Sequence, residues 1–189
     1  LNVAAGGPYQ LYGKGFAIRK PSDLKGKKIA VSGSAASRAM ELVGASPTSM
    51  SSGDLYVALQ RGTIDATSRP LITGIGRKLY EVLDHITVVN MSYFSTALAI
   101  NLDTWNKLPA DIQAIMQEAA NERGQQQLEM LEAYMAEAQG LFEKNNVNYH
   151  VASKDELAGF QTAVAPVYDW WKGQVANGDK YIEFARKNQ

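Results

Sequence analysis

The chain has 189 residues, 46% of them hydrophobic, with 19 Lys plus Arg balanced by 19 Asp plus Glu. This size and composition exclude a disordered chain and predict a real core, and the even charge removes the basic field that draws proteins to nucleic acid, so no nucleic-acid partner is expected. With 0 Cys, thiol catalysis, disulfides and thiolate metal sites are excluded, while the compartment stays open.

No apolar run reaches the roughly 18 residues of a membrane-spanning helix. The first ten residues, LNVAAGGPYQ, lack the charged and apolar regions of a signal peptide, and starting on Leu1 is expected of a processed, cloned or trimmed chain. Residues 1–16 mix Gly with Tyr9, Tyr12 and Phe16, which predicts a loop entering the first strand near Phe16.

Lys27 to Pro70 is predicted as strand, turn, helix, short strand, helix, strand, and as the ligand-facing part of the chain. Ser22 is a candidate N-cap, and Gly26 ends a single turn before the apolar run Ile29 to Val31. After Ser32-Gly33-Ser34, helical spacing of Ala36, Met40 and Val43 stops at Gly44. The free N–H groups at this helix's start can receive a polar or anionic group. Ser51 and Asp54 have capping spacing before a helix over Leu55 to Leu59, and TIDAT predicts a strand that ends at Arg69-Pro70.

A helix is predicted over Leu71 to Leu79, then strands at HITVV and YFSTALAIN. From Pro109 to about Asn145, Ile112, Ile115, Met116, Leu128, Met135 and Phe142 hold one helical period. About 35 residues of helix reach roughly 50 Å, enough to brace two lobes, with Gly124 a candidate bend. NVNYHVA predicts a strand, Ser153 with Glu156 a capping box, and Pro166 a kink in the helix that follows. Helix alternating with strand indicates an α/β sheet.

Several motifs are weaker than they look. Ser22 and Lys25 fit S-x-x-K, but the partner motifs of a hydrolase are absent, so a capped turn is expected. His85 and His150 have no metal-like partners, so neither metal nor cofactor is expected. Trp170 and Trp171 face different sides of a helix, so packing is expected of at least one. Arg69 stands out, because an Arg at a strand end in an open α/β sheet sits where such folds bind ligands, and its planar fork suits a carboxylate.

Taken together, SDLKGKKIAV, VGASPTSM, DLYVALQRGTIDAT, Tyr80 to Val82 and W-N-K-L-P before a long helix resemble one family. It is the periplasmic substrate-binding subunit of TRAP transporters, the DctP type. The resemblance runs from about Pro21 through the long helix. It implies a non-enzymatic periplasmic protein of two α/β lobes, a Venus-flytrap architecture, closing on a small organic acid and delivering it to membrane permease subunits. The expected division is a crossover segment at 1–20 from a missing or incomplete first lobe, a second α/β lobe at 21–102, and at 103–189 the long bracing helix with C-terminal helices returning to the first lobe. A dimer is expected if another chain supplies the missing lobe.

The resemblance also implies site residues. The strand after DLKG carries an Arg in the family where this chain has Ala30, and Arg69 stands where the family commonly has Asn before Pro. Arg69 is therefore expected to take over the anchoring of a carboxylate, or else to make a contact between lobes. Gln10 falls where some members place a second Arg, and Ser34, Ser52 and Phe94 fall on pocket-lining positions. A ligand-sensing or interaction module derived from the same fold is the second expectation, discriminated by an attached regulatory domain.

Overall fold

The N-terminal segment is not a loop. In the computed structural model, which describes residues 1–187 except the side chain of Ala5, the residues from Asn2 to Gly13 form one long strand, β1. The other strands are β2 (Lys28–Val31), β3 (Ser46–Ser49), β4 (Ala66–Pro70), β5 (His85–Val88), β6 (Tyr93–Leu98) and β7 (Asn148–Val151). They form one sheet in the order β3-β2-β4-β1-β5-β7, with β6 pairing on β1 off that path. β1 changes partner part-way: Asn2 to Ala5 and Pro8 pair antiparallel with β6, while Tyr9 to Gly13 pair antiparallel with β4 and, from Leu11 onward, also with β5. The sheet curls where the register shifts between Ala5 and Pro8.

β2, β3 and β4 run parallel and are linked by helices α1 (Ser34–Leu42) and α2 (Leu55–Gln60). β2 is apolar and buried beyond Lys28, as a strand inside a parallel sheet requires, and β4 is buried throughout although mostly polar, whereas β3, at the edge of the sheet, is polar and largely exposed. Ile29 and Val31 enter one core with Leu11, Met40 and Phe160, and Ala30 enters the other with Tyr12, Leu55, Leu59 and Phe142. Each large side chain so buried contributes about 1.5–3 kcal/mol. The helix expected through Leu79 breaks early: α3 (Leu71–Gly76) stops, Lys78 adopts a left-handed φ of 50°, and a 3-10 turn spans Leu79–Glu81.

Helix α4 (Leu102–Asn106), unpredicted, starts where the Asn101 side chain accepts the Thr104 N–H at 3.0 Å. The long helix α5 spans Ala110–Lys144, 35 residues, as its period predicts. It continues through Gly124, against which the Asn2 amide packs. Its C-terminal end docks through buried Ala138 and Phe142, whereas Ile112, Ile115 and Leu128 nearer its start are exposed. Helices α6 (Lys154–Val164) and α7 (Pro166–Lys172) part at Ala165 in place of a kinked single helix, and both pack on α1; α8 (Gly178–Lys187) follows. The fold is mixed α/β, a curled sheet braced by one long helix. Among the described residues, no helix is long and apolar enough to cross a membrane.

Candidate functional site

The parallel strands β2, β3 and β4 end on one side of the sheet, where they open into α1, the Met50 to Asp54 turn and α3. Open α/β sheets bind ligands at such ends. Arg69 lies there on a strand whose five residues are all buried, and at 1% exposure it is the largest fully buried side chain described. Its Nη1 donates to the Ser68 carbonyl and its Nη2 to the Met50 carbonyl, each at 2.7 Å. Nε has no partner. Among the described residues Arg69 forms no ion pair, and it is the one charged residue in the buried set. Burial pushes its guanidinium below the usual arginine range, with the Tyr9 phenol acting in the opposite direction.

Gln10, the cross-strand partner of Arg69, is placed differently from the expectation. Its Nε2 donates to the Pro8 carbonyl at 3.2 Å and to Asn90 Oδ1 at 2.8 Å, and its Oε1 accepts the N–H groups of Val89 and Asn90. Two donors and two acceptor sites are the full capacity of an amide side chain. Nothing of Gln10 is left for a ligand, so its role is to hold the β5–β6 connection against β1. Ala30 is fully buried in the apolar core, and its carbonyl accepts Thr67 Oγ1 at 2.9 Å.

Ser52 is half-buried in the turn that Arg69 holds through Met50. Ser34 opens α1 and is exposed. Phe94 packs its ring on Gly6, where a Cβ would sit 2.5 Å from three of its carbons. It meets Tyr9 edge-on at 5.9 Å. Both rings line a cavity of about 390 Å³ together with Ser32, Ser68, Met91 and Val167. Phe94 therefore joins a cavity that Arg69, Ser34 and Ser52 do not line; Ser68 faces that cavity while Arg69, next along β4, faces the other side of the sheet and reaches the Ser52 turn through the Met50 carbonyl. Tyr9 and Ser68 had no sequence signal of their own, since Tyr9 sits in the stretch read as loop.

The competing motifs find no support. Ser22 and Lys25 are exposed on a 3-10 turn, Pro21–Leu24, tied by the Asp23 carboxylate, which accepts the N–H groups of Arg19 and Lys20. Among the described residues no His, Asp and Glu cluster suits a metal. His150 Nε2 lies 2.8 Å from Glu156 Oε2, and the same carboxylate closes the Ser153 capping box. Trp170 and Trp171 are half-buried.

A family model, bacterial extracellular solute-binding protein, family 7 (DctP), matches residues 1–174. The chain belongs to this family. The family is one of binding proteins, not enzymes. Among curated relatives of the DctP family, the C4-dicarboxylate-binding periplasmic protein DctP of Rhodobacter capsulatus is 29% identical over 154 residues, covering 80% of this chain and 46% of the relative. The sialic acid-binding periplasmic protein SiaP of Vibrio cholerae is 30% identical over 128 residues, 68% of this chain and 39% of the relative. The chain thus spans under half the length of these two. A TRAP periplasmic solute-binding protein of Ralstonia eutropha, solved with (S)-2-acetolactate, superposes with TM-score 0.86 at 29% identity over 92% of this chain and 57% of that one. One of Chromohalobacter salexigens, solved with D-glucuronate, matches in fold with TM-score 0.91 at 19% identity, over 100% of this chain and 62% of that one.

Proposed function

We propose that this chain is the ligand-anchoring part of an extracytoplasmic solute-binding subunit of a TRAP transporter, working in the periplasm and delivering a small organic acid to membrane permease subunits. Arg69 anchors the ligand carboxylate, Phe94 packs on its body, and Ser52 and Ser34 lie at the edges of the site. The observation that carries this reading is the Arg69 guanidinium, buried with Nε unpaired and no counter-charge among the described residues. Burying an unpaired charge costs several kcal/mol, so a fold that keeps one has a use for it, and an incoming carboxylate is the partner that removes the penalty. Both terminal nitrogens are already fixed by backbone carbonyls, so the fork is pre-organised and loses little freedom on binding.

In this reading the neutral residues Ala30 and Gln10 leave Arg69 as the single cationic contact from this part of the protein. The division into a crossover segment at 1–20, a lobe at 21–102 and a bracing C-terminal part at 103–189 belongs to the same proposal. The reading is tested by calorimetric titration of a panel of organic acids into the longest form of the protein its gene encodes, parent against Arg69→Met. Loss of acid binding in the variant is expected; binding of unchanged affinity overturns the role of Arg69.

A further inference from the structure

Ser51 and Asp54 have the spacing of a cap, yet Asp54, at the N-cap position of α2, gives its carboxylate to no helix N–H. The carboxylate accepts the Ser51 hydroxyl at 2.6 Å, and the Asp54 N–H donates to the Ser51 carbonyl at 3.3 Å. The turn between β3 and α2 is therefore closed twice across one pair of residues, once by a hydroxyl-to-carboxylate bond, which is the short and strong kind. The Asp54 carbonyl accepts the Ala58 N–H at 3.0 Å and ties the closed turn to α2. Met50, which precedes Ser51, packs its side chain on the core of Leu55 and Leu59 and turns its carbonyl to Arg69 Nη2 at 2.7 Å.

The two acceptors on the guanidinium differ in kind. The Ser68 carbonyl belongs to β4, the strand that carries Arg69, whereas the Met50 carbonyl comes from the turn. The turn therefore sets the tilt of the guanidinium relative to the sheet, and with it the direction of the unpaired Nε. We infer that Asp54 is a positioning residue for acid binding: it holds Ser51, which places the Met50 carbonyl, which orients Arg69. This inference rests on Arg69 being the anchor. It adds a residue that acts on Arg69 through the turn, since among the described residues Asp54 forms no ion pair. Without the Ser51–Asp54 bond the turn visits other arrangements, and apparent affinity falls in proportion to the fraction of molecules that keep the competent one.

The test uses the longest form of the protein its gene encodes, with succinate, (S)-2-acetolactate and D-glucuronate as probes in calorimetric titrations and the Arg69 Nε proton-nitrogen signal recorded before any acid is added. Asp54→Ala should move or broaden that signal and weaken whichever of these acids the parent binds by about three- to tenfold. Asp54→Asn, whose amide oxygen accepts the same hydroxyl, should keep both readings near the parent's. Ser51→Ala removes the bond from its other end and should match Asp54→Ala, which keeps the test in force if Asp54→Ala does not fold. An unmoved Nε signal and parent affinity in both alanine variants, while Arg69→Met abolishes binding, overturns the positioning role and leaves the anchor standing. Asp54→Asn as weak as Asp54→Ala, with Ser51→Ala binding as the parent does, makes the charge of Asp54 the cause and overturns the route through Ser51. Acid binding indifferent to Arg69→Met, or no binding of any of these acids, overturns the anchor and with it this inference.

Discussion

Gln10 and Arg69 face each other across the β1–β4 ladder, and only Gln10 has every polar atom of its side chain paired within the protein. Buried neighbours with opposite accounts of this kind have opposite jobs. Gln10 holds the fold; Arg69 is held by it. Replacing Gln10 by Ala strands the Val89 and Asn90 N–H groups, each worth about 1–3 kcal/mol when left unpaired. Gln10→Ala should therefore lower unfolding free energy by about 2–4 kcal/mol in denaturant titration.

Arg69→Met gives the contrasting result. The substitution removes a desolvated charge whose burial costs several kcal/mol, and it orphans the Ser68 and Met50 carbonyls at about 1–3 kcal/mol each. The two effects are of similar size and opposite sign. Stability should stay within about 1 kcal/mol of the parent, whereas a much larger loss would make Arg69 a staple between β4 and the turn at Met50.

Two helical glycines should respond in opposite directions to alanine. The nearest atoms to a Cβ at Gly124 belong to the flexible end of Asn2, at 2.9 Å, so Gly124→Ala should gain up to about 1 kcal/mol of helix propensity. A Cβ at Gly74 meets the Tyr12 hydroxyl at 2.8 Å and the Phe142 ring at 3.0 Å, both in the core. Overpacking there should make Gly74→Ala destabilising by about 1–3 kcal/mol. Thermal unfolding of the two variants reads both signs.

Acid sensitivity is expected at the start of α6. Glu156 is held below its ordinary value of 4.5, first by the Ser153 N–H and then by His150. A carboxyl whose folded value is depressed contributes stability that is complete above its unfolded value and lost as pH falls through the folded one. The gap in melting temperature between parent and Glu156→Gln should thus be present at neutral pH and close as the solution is acidified below 4.5.

Much of the architecture was legible before any coordinates. The period of α5 gave its length because Ala138 and Phe142 recur on its docking face, and Ser153 with Glu156 marks α6 because a capping box is a local hydrogen-bond pattern. β1 was hidden for a physical reason. Gly6, Gly7 and Pro8 read as loop, yet Gly6 is there to let the Phe94 ring lie on the strand and Pro8 sits where the register shifts. Losing β1 also hid Tyr9 and the pairing of Gln10 with Arg69, since cross-strand neighbours depend on register. Arg69 itself was visible as an Arg at a strand end. Its burial and its unpaired Nε depend on how the Met50 turn folds back over β4, which no local pattern records.

The most direct measurement is the proton-nitrogen NMR signal of Arg69 Nε, assigned by its disappearance in Arg69→Lys and followed as an organic acid that binds in the calorimetric panel is added. A carboxylate arriving at the unpaired Nε should shift this signal downfield in step with the calorimetric binding curve, while Arg69→Met leaves the folded protein unable to bind. An Nε signal that stays in place while the acid binds would contradict Arg69 as the anchor.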